Sequence, residues 1–136
     1  YRQANRLSNL ITLCPRCHRL AEQQVAVRST LSGLGRVTGH LIPLYLMCDA
    51  RDVGILTDVQ APQTGLPTIF IYDGIPGGVG LSDEVPALYG ELLEKAAELV
   101  SDCPCEFGCP SCIGAAAQDN PRAKQQVLRL IEALQG

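Results

Sequence analysis

The sequence predicts an α+β fold, mainly helical, with a small antiparallel sheet and a loop between two helices whose four cysteines are spaced for a metal. Three observations carry this. Two long segments repeat apolar residues at three- and four-residue steps, as helices with one buried face do. Two short β-branched runs are separated by Pro62, Gly65 and Pro67, which fits an antiparallel pair. Near the end, CPCEFGCPSC places Cys103, Cys105, Cys109 and Cys112 in a C-x-C-x3-C-x2-C pattern. The 136 residues suffice to bury a core, filled mostly by aliphatic side chains because aromatics are 4%.

Residues 1–20 read as a loop-rich entry carrying the pair in LCPRCH. From Ala21 to Met47, Leu34, Val37, Leu41, Leu44 and Cys48 mark a helical face. Gly33, Gly35 and Gly39 weaken it and Pro43 should kink it, so one bent helix and two shorter pieces are both open. Asp49–Asp52 is a polar turn, followed by strands at Ile55–Gln60 and Thr68–Tyr72. The second, TIFIY, has the composition of the more buried strand. In the glycine-rich loop YDGIPGGVGLS, Asp73 is expected to bond the loop amides, and Gly77, Gly78 and Gly80 to allow positive φ. Ser82 is expected to cap a helix over Asp83–Ser101 with Val85, Leu88, Leu92, Ala96, Leu99 and Val100 inward. Asn120-Pro121 then opens a last helix that buries Val127, Leu130, Ile131 and Leu134.

Four thiolates this close suit one tetrahedral ion, and an all-cysteine shell is a standard closed zinc site. An iron–sulfur or redox centre ranks second and disulfides last. A disulfide scaffold would be short and cysteine-rich throughout, whereas four of the seven cysteines here fall in one loop. Cys14 and Cys17 form a second candidate pair, read as half of a knuckle completed upstream. His40 and Cys48 are the other unused soft ligands; both are read as structural.

Charge is uneven. Residues 1–40 hold six arginines against Glu22, and the remainder holds five basic and thirteen acidic residues. Phosphate contacts, if made, belong to the N-terminal part, with Arg16, Arg19, Arg28 and Arg36 as candidates; a solvated face is the plainer reading. The glycine-rich loop lacks a P-loop's Gly-Lys-Ser/Thr ending and the G-x-G-x-x-G fingerprint, so it reads as a tight turn. No catalytic serine or cysteine set, H-E-x-x-H or carboxylate pair stands out. No apolar run is long enough to cross a bilayer. Metal-holding thiolates point to a reducing, cytoplasmic setting. The first residue is Tyr1 rather than Met and opens inside a motif, so a longer parent polypeptide is expected.

Taken together, YDGIPGGVGLS, the long amphipathic helix, CPCEFGCPSCIG and the closing helix resemble the MrfA zinc-binding (MZB) domain of superfamily 2, DEAD/DEAH-type DNA helicases, a family that includes the Hrq-type enzymes related to RecQ helicases. LIPLYLMCDARDVG resembles that family's helix followed by Cys-Asp-x-x-Asp, and the match runs from about Leu31 to the end. The resemblance implies Zn2+ on Cys103, Cys105, Cys109 and Cys112. It implies ATP and Mg2+ only through motor domains of the same polypeptide, which are absent here, and DNA unwinding in repair as the parent's activity. No catalytic residue is assigned in this chain. ANRLSNLITLCPRCHRLAE instead resembles the C-terminal half of an HNH-type zinc fold, with Asn9, Cys14, Cys17 and His18 in matching places and the rest of that motif missing. The expected organisation is a partial HNH-like knuckle over 1–27 and an MZB-type domain over 28–136. The leading expectation is a zinc-binding accessory domain of an ATP-dependent DNA helicase. The alternatives are an HNH-like nuclease remnant and a zinc-stabilised protein-interaction adaptor.

Overall fold

A computed structural model describes residues 10–12 and 24–136. In chain order these form β1 (Leu10–Thr12), α1 (Gln24–Leu46), a 3-10 turn at Ala50–Asp52, β2 (Val53–Asp58), β3 (Thr68–Asp73), a second 3-10 turn at Ser82–Glu84, α2 (Val85–Asp102), the short α3 (Ala116–Asp119) and α4 (Ala123–Gln135). The strands make one antiparallel sheet in the order β1-β3-β2, with Leu10 opposite Phe70 and Leu56 opposite Phe70 on the other side. The expected α+β architecture holds, and β1 is an addition that three residues of sequence could not announce.

Helix α1 is the axis of the molecule. It packs against β2 on one side and against α2 and α4 on the other. Residues two apart on a helix point about 200° apart. Gly35 and Gly39 therefore face Ile55 of β2, while Gly33 faces Val127 of α4 and Ile113. A Cβ on Gly33 would sit 2.7 Å from Val127 Cγ2. The glycines read as helix-weakening are thus the places where sheet and helix approach α1 most closely, and one unbroken helix runs through Pro43. It ends in a Schellman arrangement. Met47 takes a positive φ there, and Cys48 N–H donates to the Pro43 carbonyl at 3.1 Å.

The core joins Leu31, Leu34 and Ile42 of α1 to Ile69 and Ile71 of β3, Leu93 of α2 and Ile131 of α4, all at most 1% exposed. β3 is the central strand, and Thr68, Ile69, Phe70 and Ile71 are buried, as the TIFIY composition predicted. Two expected core positions are corrected. Leu44 is 73% exposed, because it falls outside the arc of α1 on which Leu41, Ile42, Tyr45 and Leu46 meet the core, and Leu99 is 45% exposed whereas Leu93 is buried.

The turn before β2 is tied by Asp49 and Asp52, each carboxylate accepting from backbone at the other end of the box. After β3 the Asp73 carboxylate accepts from the backbone N–H of Val79 at 3.0 Å, Gly80 at 2.9 Å and Ser82 at 2.7 Å. Burial pushes this carboxyl up, but the Ser82, Gly80 and Val79 amides outweigh it and hold the group below its ordinary range. Gly77, Gly78 and Gly80 all take positive φ, as a tight turn requires. Ser82 is therefore a buried donor to this web rather than the helix cap, and no side chain caps α2. Asn120 accepts from Arg122 N–H at 2.9 Å, but α4 itself begins at Ala123. Its amide also reaches Ser29 Oγ of α1 at 2.8 Å, linking the two helices.

Candidate metal centre

Helix α2 hands the chain to the cysteine loop at Asp102, and Cys103 leaves the helix in extended conformation. Gly108 turns the loop back with φ +111°. That region is closed to most side chains. A Cβ there would lie 2.5 Å from Ile113 Cδ1. From Cys109 the chain makes a tight knuckle: Cys112 and Ile113 N–H both donate to the Cys109 carbonyl, at 3.2 and 3.1 Å. The knuckle is anchored by Ile113, which is fully buried between Gly108 and Gly33 of α1.

This path brings the sulfurs of Cys103, Cys105, Cys109 and Cys112 within 4.8 Å of one another. Sγ–Sγ distances are 3.5 Å for Cys103–Cys109, 3.5 Å for Cys105–Cys112 and 3.7 Å for Cys109–Cys112. Four ligands at about 2.3 Å from a tetrahedral zinc stand about 3.8 Å apart, so the set fits that ion closely. All four are free thiols, half-buried at the molecular edge. The shell has the all-sulfur chemistry of a closed site, with no place for a substrate.

The thiols differ in readiness to ionise. Backbone N–H of Cys112, then the Cys103 thiol, lower Cys109 to about 6. Burial pushes Cys112 up to about 12. The Cys105 backbone lowers Cys103, but bonding to the Cys105 and Cys109 thiols raises it on balance.

One residue was missed in the sequence. Lys124, in the first turn of α4, donates through Nζ to the carbonyls of Cys103 at 2.8 Å and Cys105 at 2.5 Å, and lies 3.6 Å from Cys105 Sγ. Its N–H also donates to the Phe107 carbonyl at 3.4 Å. The available signal was a cation at a helix start, where the dipole favours anions.

The other candidates stand apart. Cys14, Cys17, Arg16 and Arg19, with Asn9 and His18, lie outside the described residues. Cys48 packs half-buried against the core, and burial followed by Asp52 and Asp49 raises its thiol. His40 is exposed and joins no cluster among the described residues. Arg28 and Arg36 are exposed on α1, and the Arg36 stem lies across Gly114, just past the knuckle. Among the described residues no helix is long and apolar enough to cross a membrane.

Comparison with known proteins gives concordant relatives. A family model described as the MrfA Zn-binding domain matches residues 34–113. The uncharacterized ATP-dependent helicase YprA of Bacillus subtilis is 43% identical over 104 residues, spanning 76% of this chain and 14% of that protein. An uncharacterized protein of Methanocaldococcus jannaschii, MJ1572.1, is 30% identical over 100 residues, covering 69% of this chain and 89% of its own length. Among solved structures, the DUF1998 helicase MrfA bound to DNA superposes with a TM-score of 0.74 at 42% identity, over 79% of this chain and 14% of that one. The chain therefore spans about a seventh of the helicases it matches.

Proposed function

The chain belongs to the MrfA Zn-binding domain family, and from that premise we propose that it works as the zinc-holding accessory module of an ATP-dependent DNA helicase. Cys103, Cys105, Cys109 and Cys112 are its four ligands. The sulfur geometry is the observation that carries this: three sulfur pairs stand 3.5–3.7 Å apart. That is close to the separation of about 3.8 Å in a tetrahedral zinc–thiolate shell. When bound, the ion supplies a cross-link and no reactive position. The chain's residues do the rest. Ile113 seats the loop on α1, Gly108 lets it turn, and Lys124 ties it to α4. The C-terminal end of α2 is thereby fixed against two other helices. The function lies in the surface so held, which supports a motor or borders the DNA path.

ATP and Mg2+ enter through motor domains of the same polypeptide, supported by the helicase relatives of which this chain spans 14%. Arg28 and Arg36, exposed on one helix beside the knuckle, are the nucleic-acid candidates among the described residues, with Arg16 and Arg19 further candidates upstream. The division into a knuckle segment, 1–27, and a domain, 28–136, belongs to the same reading; pairing of β1 with β3 supports a segment fastened to the domain. A reducing cytoplasm suits the thiolate shell.

Strand-displacement assays on the full polypeptide test the proposal. Replacing two of the cysteines by serine should abolish unwinding while ATP hydrolysis persists, and replacing Arg28 and Arg36 by Gln should flatten the salt dependence of DNA binding. Undiminished unwinding by the cysteine variant would refute the accessory role.

A further inference from the structure

We propose that Lys124 is part of the metal site: a positioning residue that holds the loop backbone and donates to a ligand sulfur. The inference rests on the reading of the four cysteines as metal ligands. A lysine ammonium has three protons to donate and no acceptor capacity. Here it meets three acceptors, the carbonyls of Cys103 and Cys105 and Sγ of Cys105. The main-chain N–H of the same residue takes the Phe107 carbonyl. One residue therefore grips the first half of the loop at positions 103, 105 and 107. The knuckle hydrogen bonds, by contrast, converge on the Cys109 carbonyl.

The placement breaks a local rule. The first turn of α4 holds no acid, and Lys124 sits there against the positive end of the helix dipole. Such a violation is stable when something nearby compensates. Four thiolates around a divalent cation carry a net charge of about −2, and they lie at this helix start. The ammonium and the dipole face that charge together. Cys105 differs from the other three cysteines in receiving the lysine at its sulfur. Outer contacts of this kind orient ligands and tune the metal, and their loss typically costs about ten- to a hundredfold in affinity.

The test is cobalt titration of this chain in a Cys14→Ser, Cys17→Ser background, followed by zinc competition against a chelator. Wild type should give the intense thiolate-to-cobalt charge-transfer bands of a four-sulfur tetrahedral site. Lys124→Met removes the donors but keeps the stem. It should shift those bands to longer wavelength, because a sulfur released from a hydrogen bond is a better electron donor, and should weaken zinc binding about ten- to a hundredfold. Lys124→Arg should recover most of both. Leu130→Ala, on the buried face of the same helix, weakens the fold without touching the loop and should leave the band positions unchanged. Should Lys124→Met not fold, Lys124→Leu, which also removes the donors, gives the same band comparison. Absence of thiolate bands in wild type would overturn the metal reading itself. Wild-type bands with unchanged position and affinity in Lys124→Met would overturn the role of Lys124 alone.

Discussion

Ile113 and Gly108 should be energetically coupled through a single contact, and the structure fixes the size of the coupling. Gly108→Ala meets two separate penalties. The first is the backbone: φ is +111° at this position. A left-handed φ costs a residue with a side chain about 1–2 kcal/mol. The second is overlap, because the new Cβ would stand 2.5 Å from Ile113 Cδ1 and 3.2 Å from Cγ1. Crowding of that kind in a packed core costs about 1–3 kcal/mol. Ile113→Ala, from a fully buried position, should cost about 3 kcal/mol through lost burial and the cavity left behind. In the Ile113→Ala background the overlap disappears and only the backbone penalty of Gly108→Ala remains. The double variant should thus be more stable than additivity allows by about 1–3 kcal/mol. Urea unfolding at fixed free zinc concentration measures all four corners, the fixed zinc being needed because ligand activity enters apparent stability. Additivity within about 0.5 kcal/mol would refute the contact between loop turn and anchor as the feature that seats the cysteines.

Other consequences follow from the same geometry. Asp73→Asn leaves one oxygen for three amide donors and strands the N–H of buried Ser82. Chemical denaturation at pH 7 should show a loss of about 2–3 kcal/mol, and a loss under about 0.5 kcal/mol would contradict the web. The Asp73 carboxyl is held low when folded. Its contribution is therefore present above the unfolded value of about 4 and fades as pH falls through the folded one, so the wild-type advantage should narrow in acid. Metal affinity should rise with pH between about 6.5 and 8.5. In the metal-free chain Cys109 is already ionised there, but Cys103 and Cys112 still hold protons that binding must release. Chelator competition should then show a slope of at least about two decades per pH unit, and a flat profile would contradict thiolate ligation. Gly33→Val should separate α4 from α1 and lower the melting temperature by overpacking. Even a Cβ at Gly33 would lie 2.7 Å from Val127 Cγ2, so an unchanged melting temperature would contradict the close approach.

The long elements were legible because they are amphipathic over many turns: the α2 face at Val85, Leu92, Ala96 and Val100 is buried as its spacing implied. The cysteine cluster was legible because its spacing leaves the sulfurs little choice but to converge. What failed to show depends on neighbours distant in the chain. Whether Leu44 or Leu99 is covered depends on which arc of each helix its neighbours reach, which periodicity does not record. Gly33, Gly35 and Gly39 lower helix propensity yet admit Val127 and Ile55, so tertiary approach overrides the local preference. Ser82 and Asn120 were plausible caps by type, but the Ser82 amide is claimed by Asp73 nine residues earlier, and a turn intervenes between Asn120 and α4. Three-residue β1 carries too little pattern to read, and Lys124 finds its partners nineteen to twenty-one residues back in the chain.

Four cysteines should hold one structural metal ion on which the fold depends. Native mass spectrometry of the chain in the Cys14→Ser, Cys17→Ser background, paired with thermal unfolding before and after chelation, tests it most directly. One zinc per chain is expected, lost together with cooperative unfolding when Cys103, Cys105, Cys109 and Cys112 are replaced by serine. A metal-free wild type, or a four-serine variant that melts cooperatively at the wild-type temperature, would contradict it.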